Sequence, residues 1–201
     1  NPFSTFSYEK FQSTSNSDNQ ENSYQTDILN FLTSIISQIC KPIKGVNELE
    51  RSIITSSIKR CLEKYKNDST IINVAEFFEE SCLDESQKNI ARNLKLSLGV
   101  FWDKYQKYFQ GTSDIDTNNH LLVFELSNIK SDEMKDLKSV VMMTLMNIIA
   151  DAIYNGDRKT RSSLIIDEAW DLLHGNEMRA FIVGYVRRVR KYGGNLITGT
   201  Q

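Results

Sequence analysis

Ser163-Leu164-Ile165-Ile166-Asp167-Glu168-Ala169-Trp170 is the stretch on which the reading of this chain turns. Its three aliphatic residues in a row make a short apolar run of the kind found in strands buried on both faces. The run ends on two neighbouring carboxylates. Downstream, helical spacing holds from Glu177 to Tyr192, and Gly193-Gly194 stops it. Leu196-Ile197-Thr198 then predicts another strand. Upstream, Asn155-Gly156-Asp157 ends a helix expected from about Asp132 to Tyr154, and Leu121–Leu126 predicts a further buried strand. Strand, helix, strand, helix, strand implies crossover connections and a parallel sheet. Such sheets hold their ligands outside the carboxyl ends of the strands.

The chain before Gly111 has a different period. Ile28, Leu32, Ile35, Ile36 and Ile39 form one helical stripe, ended by Pro42 and Gly45. Leu49, Ile53, Ile54, Ile58, Cys61, Leu62 and Tyr65 form a second, and Ile90, Leu94 and Leu98 a third. Asn73 followed by Glu76 predicts a helix N-terminus before Val74, Phe77 and Phe78. The aromatic cluster from Phe101 to Phe109 is read as helix packing. Residues 1–23 are polar, with a loop-like composition from Ser13 to Ser23. The expected organisation is a mobile connecting segment at 1–23, an all-α subdomain at 24–110 and an α/β core at 111–201.

Composition narrows the classes. The 201 residues are 40% hydrophobic and 25% charged, with a net charge of −2, so the whole chain carries no field suited to nucleic acid or a membrane surface. Cys40, Cys61 and Cys82 have neither the close pairing of a zinc site nor an even count for a disulfide framework. His120 and His174 are far apart, which disfavours a metal centre built on them. No run approaches the eighteen apolar residues or so of a transmembrane helix.

Two readings compete for Asp167-Glu168. In the functional one, Asp167 holds a magnesium ion through water, and Glu168 orients or deprotonates a water attacking a nucleotide phosphate. In the structural one, Asp167 caps the next helix and Glu168 complements its dipole. The strand at Leu196–Thr198 leads into Gly199-Thr200-Gln201, and Gln201 at its tip could hydrogen-bond a γ-phosphate. Arg187, Arg190 and Lys191 share a helix face. They form a trans-acting guanidinium site, a phosphate contact or an ordinary solvated basic face. Glu125 is more simply structural. No Gly-x-x-x-x-Gly-Lys-Ser/Thr loop, Gly-x-Gly-x-x-Gly or Gly-x-Ser-x-Gly occurs, so the sequence supplies no phosphate cradle and no serine-hydrolase elbow. The opening Asn1-Pro2-Phe3 and the end at Gln201 read as cut ends of a longer polypeptide.

Leu164–Leu173 (LIIDEAWDLL), Arg187–Gln201 (RRVRKYGGNLITGTQ) and Phe124–Ile129 (FELSNI) together resemble the TraC-type ATPases of bacterial conjugation and type IV secretion. The resemblance implies an α/β fold, a partial RecA-like P-loop NTPase parallel sheet with an inserted all-α subdomain, from a chain that lacks the Walker A loop. It implies ATP and Mg2+ as cofactors of the full-length parent. Asp167 would be the Walker B magnesium residue, Glu168 the catalytic base, Gln201 the γ-phosphate sensor, and Arg187 or Arg190 a finger acting in trans. It further implies a hexameric ring at the cytoplasmic side of the inner membrane, other type IV secretion components as partners, and a DNA or protein substrate. A non-enzymatic helical docking module and a DNA-pumping translocase are the alternatives.

Overall fold

A computed structural model describes residues 1–13, 21–110, 115, 119–126, 129, 134–155, 161–167, 176–190 and 193–199. The chain divides into two units, Asn1–Lys41 with Gly45–Ser113 and Pro42–Lys44 with Asp114–Gln201.

The first unit is helical. A 3-10 turn at Pro2–Ser4 and α1, Tyr8–Ser13, carry the buried Phe3, Tyr8 and Phe11 within residues otherwise read as a connecting segment. Helix α2 runs Glu21–Cys40, so it begins inside the stretch whose composition predicts a loop. All five residues of its expected stripe are buried, and from Phe31 to Cys40 only Ser34 escapes burial. A helix enclosed on every side is the central element of its unit. Helix α3, Glu48–Tyr65, starts with a capping box: the Asn47 side chain accepts from the Glu50 N–H, and Glu50 accepts from the Asn47 N–H. Glu50, largely buried, also pairs with Lys41 just past the end of α2, which ties that end to the start of α3. Leu49, counted in the α3 stripe, lies in the first turn and is exposed.

The cap predicted at Asn73 is corrected. Helix α4 spans Ile71–Val74 and has Thr70 at its N-cap, so Asn73 lies inside it. A 3-10 turn, Ala75–Phe77, follows. The Asn73 amide donates to Glu76 as expected for neighbours three apart, but this contact does not start a helix. Helix α5, Glu85–Tyr105, packs on both α2 and α3 through Ala91, Leu94 and Leu98. The aromatic cluster closes its end, with Phe101 5.0 Å from Tyr105 and 5.8 Å from Phe109 between ring centres.

The second unit is α/β. Helix α6, Lys135–Asn155, buries Leu137, Val140, Met143, Met146 and Ala150 at helical spacing. Strand β1, Ser162–Ile166, pairs in parallel with β2, Gly194–Thr198. Helix α7, Asn176–Arg190, lies between the two strands in sequence and packs on α6 and β2 through a face that includes Phe181, Tyr185 and Val189. Gly193, with φ 80°, makes the left-handed turn from α7 into β2 and donates its N–H to the Arg190 carbonyl. Gly194 sits where a Cβ would come within 2.1 Å of Val189 Cγ1, so only glycine lets β2 start this close to α7.

Residues 121–126 depart from expectation. They alternate between exposed and half-buried positions, with Leu121 and Val123 exposed, but they join no ladder among the described residues. A strand is defined by a partner that takes its backbone hydrogen bonds, and a local apolar run cannot supply one.

Candidate functional site

The site is built at the carboxyl end of the two paired strands. The ladder runs to Ile166 opposite Thr198. One residue further on, the Gly199 N–H donates to the Ile166 carbonyl at 2.9 Å, so the strand tips stay joined past the last ladder pair. Asp167 occupies the turn directly after β1 and is exposed. Its carboxylate lies beside Gly199: a Cβ added to that glycine would be 3.2 Å from Asp167 Oδ1. The next described helix, α7, begins at Asn176, and the cap reading of Asp167 and Glu168 falls on residues 168–175, outside the described residues.

Glu168, Thr200 and Gln201 lie outside the described residues. Arg187 and Arg190 are exposed on α7, away from the face that carries Tyr185 and Val189. Arg190 precedes the turn into Gly194, the first residue of β2, and so stands at the amino end of that strand. Asp167 stands at the carboxyl end of its parallel partner. The four-residue rise from Gly194 to Thr198 separates the two ends by roughly 13 Å. The fold therefore does not gather Asp167 and Arg190 at one end of the sheet. Glu125 is exposed on segment 121–126, outside the described ladder.

The donor set suits magnesium better than a dedicated protein cage. Among the described residues no three His, Cys, Asp or Glu side chains converge. Magnesium keeps most of its waters and takes one or two carboxylates together with substrate phosphate oxygens. A single exposed carboxylate at the carboxyl end of a strand fits that requirement. Thiol chemistry is not available as a substitute. All three cysteines are free, but burial pushes the Cys40 thiol up to about 12 and the Cys61 thiol to about 11. Cys82 is also raised, first by burial and then by Asp84 and Glu79. Thiols held protonated in this way are poor nucleophiles.

A family model described as the TraG P-loop domain matches residues 19–201. The chain belongs to the TraG P-loop domain family. Among solved structures, that of VirB4 of Thermoanaerobacter pseudethanolicus is similar, with a TM-score of 0.63 at 18% identity over 88% of this chain. The aligned part is 50% of that protein, so this TraG-family chain spans about half the length of its solved relative. No curated protein sequence gives a significant match. The resemblance drawn from DEAW and the Gly-Thr-Gln tip to conjugative and type IV secretion ATPases is thus borne out at the level of the family, and the fold is a partial P-loop NTPase α/β arrangement accompanied by helices. No described helix of this TraG-family chain is long and apolar enough to cross a membrane.

Gly199 is the site residue that sequence reasoning missed. Its signal was available: once the two strands are aligned on their apolar runs, position 199 falls opposite position 167, the carboxylate.

Proposed function

We propose that this chain carries the carboxylate half of the nucleotide site of a type IV secretion ATPase. The observation that supports this most directly is Asp167 at the carboxyl end of parallel strand β1, beside the Gly199 tip of β2, in a TraG P-loop family member. Asp167 would hold Mg2+ through water. When bound, Mg2+–ATP supplies the phosphoanhydride to be cleaved and the cation that neutralises its charge. Glu168, the next residue, accepts the proton of the attacking water. Gln201 reports the γ-phosphate through its amide. Arg187 or Arg190 acts on the site of a neighbouring subunit, and the separation of Arg190 from Asp167 along the sheet favours action in trans over action within one chain. Self-association into a hexameric ring follows from that role. Transport of DNA or protein substrates, pilus assembly, contact with other secretion components and attachment at the inner membrane belong to the same reading.

The test is Glu168→Gln in the full-length protein. Loss of a general base removes about 10²–10⁴-fold in rate, so hydrolysis should fall by that range while ATP binding persists. Unchanged turnover would sink the assignment. The 201-residue chain on its own should not hydrolyse ATP, because its sequence contains no phosphate-binding loop. A second reading, a helical docking module, draws support from the separate helical unit and from exposed Leu96 and Val100, one turn apart on α5. A pull-down that keeps its partners when Asp167 and Glu168 are both neutralised would favour that reading.

A further inference from the structure

We infer that the outer face of α5 docks against α5 of a second copy of this chain, packed antiparallel about a two-fold axis. The inner face of α5 carries Ala91, Leu94, Leu98, Phe101 and Tyr105 into the helical core. An outer face is ordinarily polar. Here Leu96 is 67% exposed and Val100 69% exposed, one turn apart. Gly99 lies between them in mid-helix, where glycine is less favourable than alanine. Among the described residues nothing calls for it: its φ is not positive, and an added Cβ would meet nothing within 4 Å. A missing side chain beside two exposed aliphatic ones lets another helix backbone come close. Charge selects that helix. Arg92 stands one turn before Leu96, and Asp103 about one turn after Val100, on the same face. The midpoint of Arg92 and Asp103 nearly coincides with that of Leu96 and Val100. An antiparallel copy turned about that point sets Leu96 against Val100 of the second copy and Arg92 against its Asp103, each twice. Lys107, another charge on this face, then falls opposite the uncharged Asn89. A parallel copy would oppose Arg92 to Arg92 and Asp103 to Asp103, which is repulsive. Both members of the pair have capacity for it. Asp103 is exposed and bonds to no described residue. Arg92 is oriented by Glu79 on Nε at 3.1 Å and by Glu85 on Nη1 at 2.9 Å, and no described residue accepts from its Nη2. The contact is isologous, hence separate from the heterologous one that a trans-acting arginine requires, and it stands whether or not Asp167 serves a nucleotide.

The test uses the full-length protein with the apolar photo-crosslinker benzoylphenylalanine in place of Leu96. Unlabelled and 15N-labelled preparations are mixed, so that mass tells peptide pairs joining two copies from pairs within one copy. Cross-links between copies are expected from position 96 to the peptide that holds Val100. Arg92→Glu and Asp103→Lys should each lower the yield of that product about tenfold, because each turns two attractive pairs into repulsive ones. The two substitutions together should restore it. Gly99→Gln should abolish the product while raising the melting temperature, because glutamine is the better helix former where space is open. A purely structural role for Gly99 would lower the melting temperature instead, and that result would overturn the proposal. So would a cross-link from position 96 to another part of the same copy, to a surface of the second copy other than α5, or to nothing. An unchanged yield after the single reversals, or no recovery in the double variant, would overturn the antiparallel pairing. Should Arg92→Glu unfold through its lost bonds to Glu79 and Glu85, the decision passes to Asp103→Lys, which breaks no bond to a described residue.

Discussion

The two units solve the same problem differently. In the helical unit, α2 is surrounded: Phe31, Leu32, Ile35 and Ile36 are all within 1% of complete burial. In the α/β unit, the two-stranded sheet is covered on the side of Ile166 and open on the other, where Ile165 is 68% exposed and Ile197 50% exposed. These two exposed residues are direct partners across the ladder. A helix satisfies its own backbone hydrogen bonds and needs neighbours only for its side chains. A parallel sheet needs strands at its edges and cover on both faces. The described part of the sheet meets the second condition on one face only.

The comparison can be broken by mutation. The largest effect is expected in the helical core: Phe31→Ala should lower stability by about 3–5 kcal/mol, because it removes a large side chain from a site that cannot collapse around the cavity. Urea unfolding followed by circular dichroism measures it. A loss below about 1 kcal/mol would mean that α2 is not the enclosed element described above. Gly194→Ala comes next, at about 1–3 kcal/mol from overpacking against Val189. This loss should appear in the α/β unit, read by hydrogen exchange in β1 and β2, with exchange in α2 and α3 unchanged. The smallest effect is expected for Ile165→Thr, which keeps a β-branched side chain on an open face: within about 0.5 kcal/mol. If the same change in a longer polypeptide cost several times more, that face would be a buried one in the larger protein.

Much of this was legible in residue order, and the misses share a cause. The apolar periods at Ile28–Ile39 and Ile53–Leu62 marked α2 and α3, and the Ser163–Trp170 and Leu196–Thr198 stretches overlap the pair of strands that form. Those features depend on side chains a few residues apart along one element. Asn73 looked like a cap because a polar residue followed by an acid three positions on is the local pattern, yet Asn47 and Glu50 carry the same pattern and do form the capping box. Segment 121–126 has the composition of a strand but joins no ladder among the described residues.

The amino-acid sequence by itself determined the order helix, strand, helix, strand from α6 to β2, the carboxylate at the end of the Leu164–Ile166 run and the absence of a phosphate-binding loop. These are properties of neighbouring residues. Only the tertiary structure decided that Gly199 lies against Asp167, that Arg190 stands at the other end of the sheet, and that the partner of β1 is β2. Each of those relations joins residues some twenty to thirty positions apart, and only strand register and the α7 crossover bring them together or hold them apart.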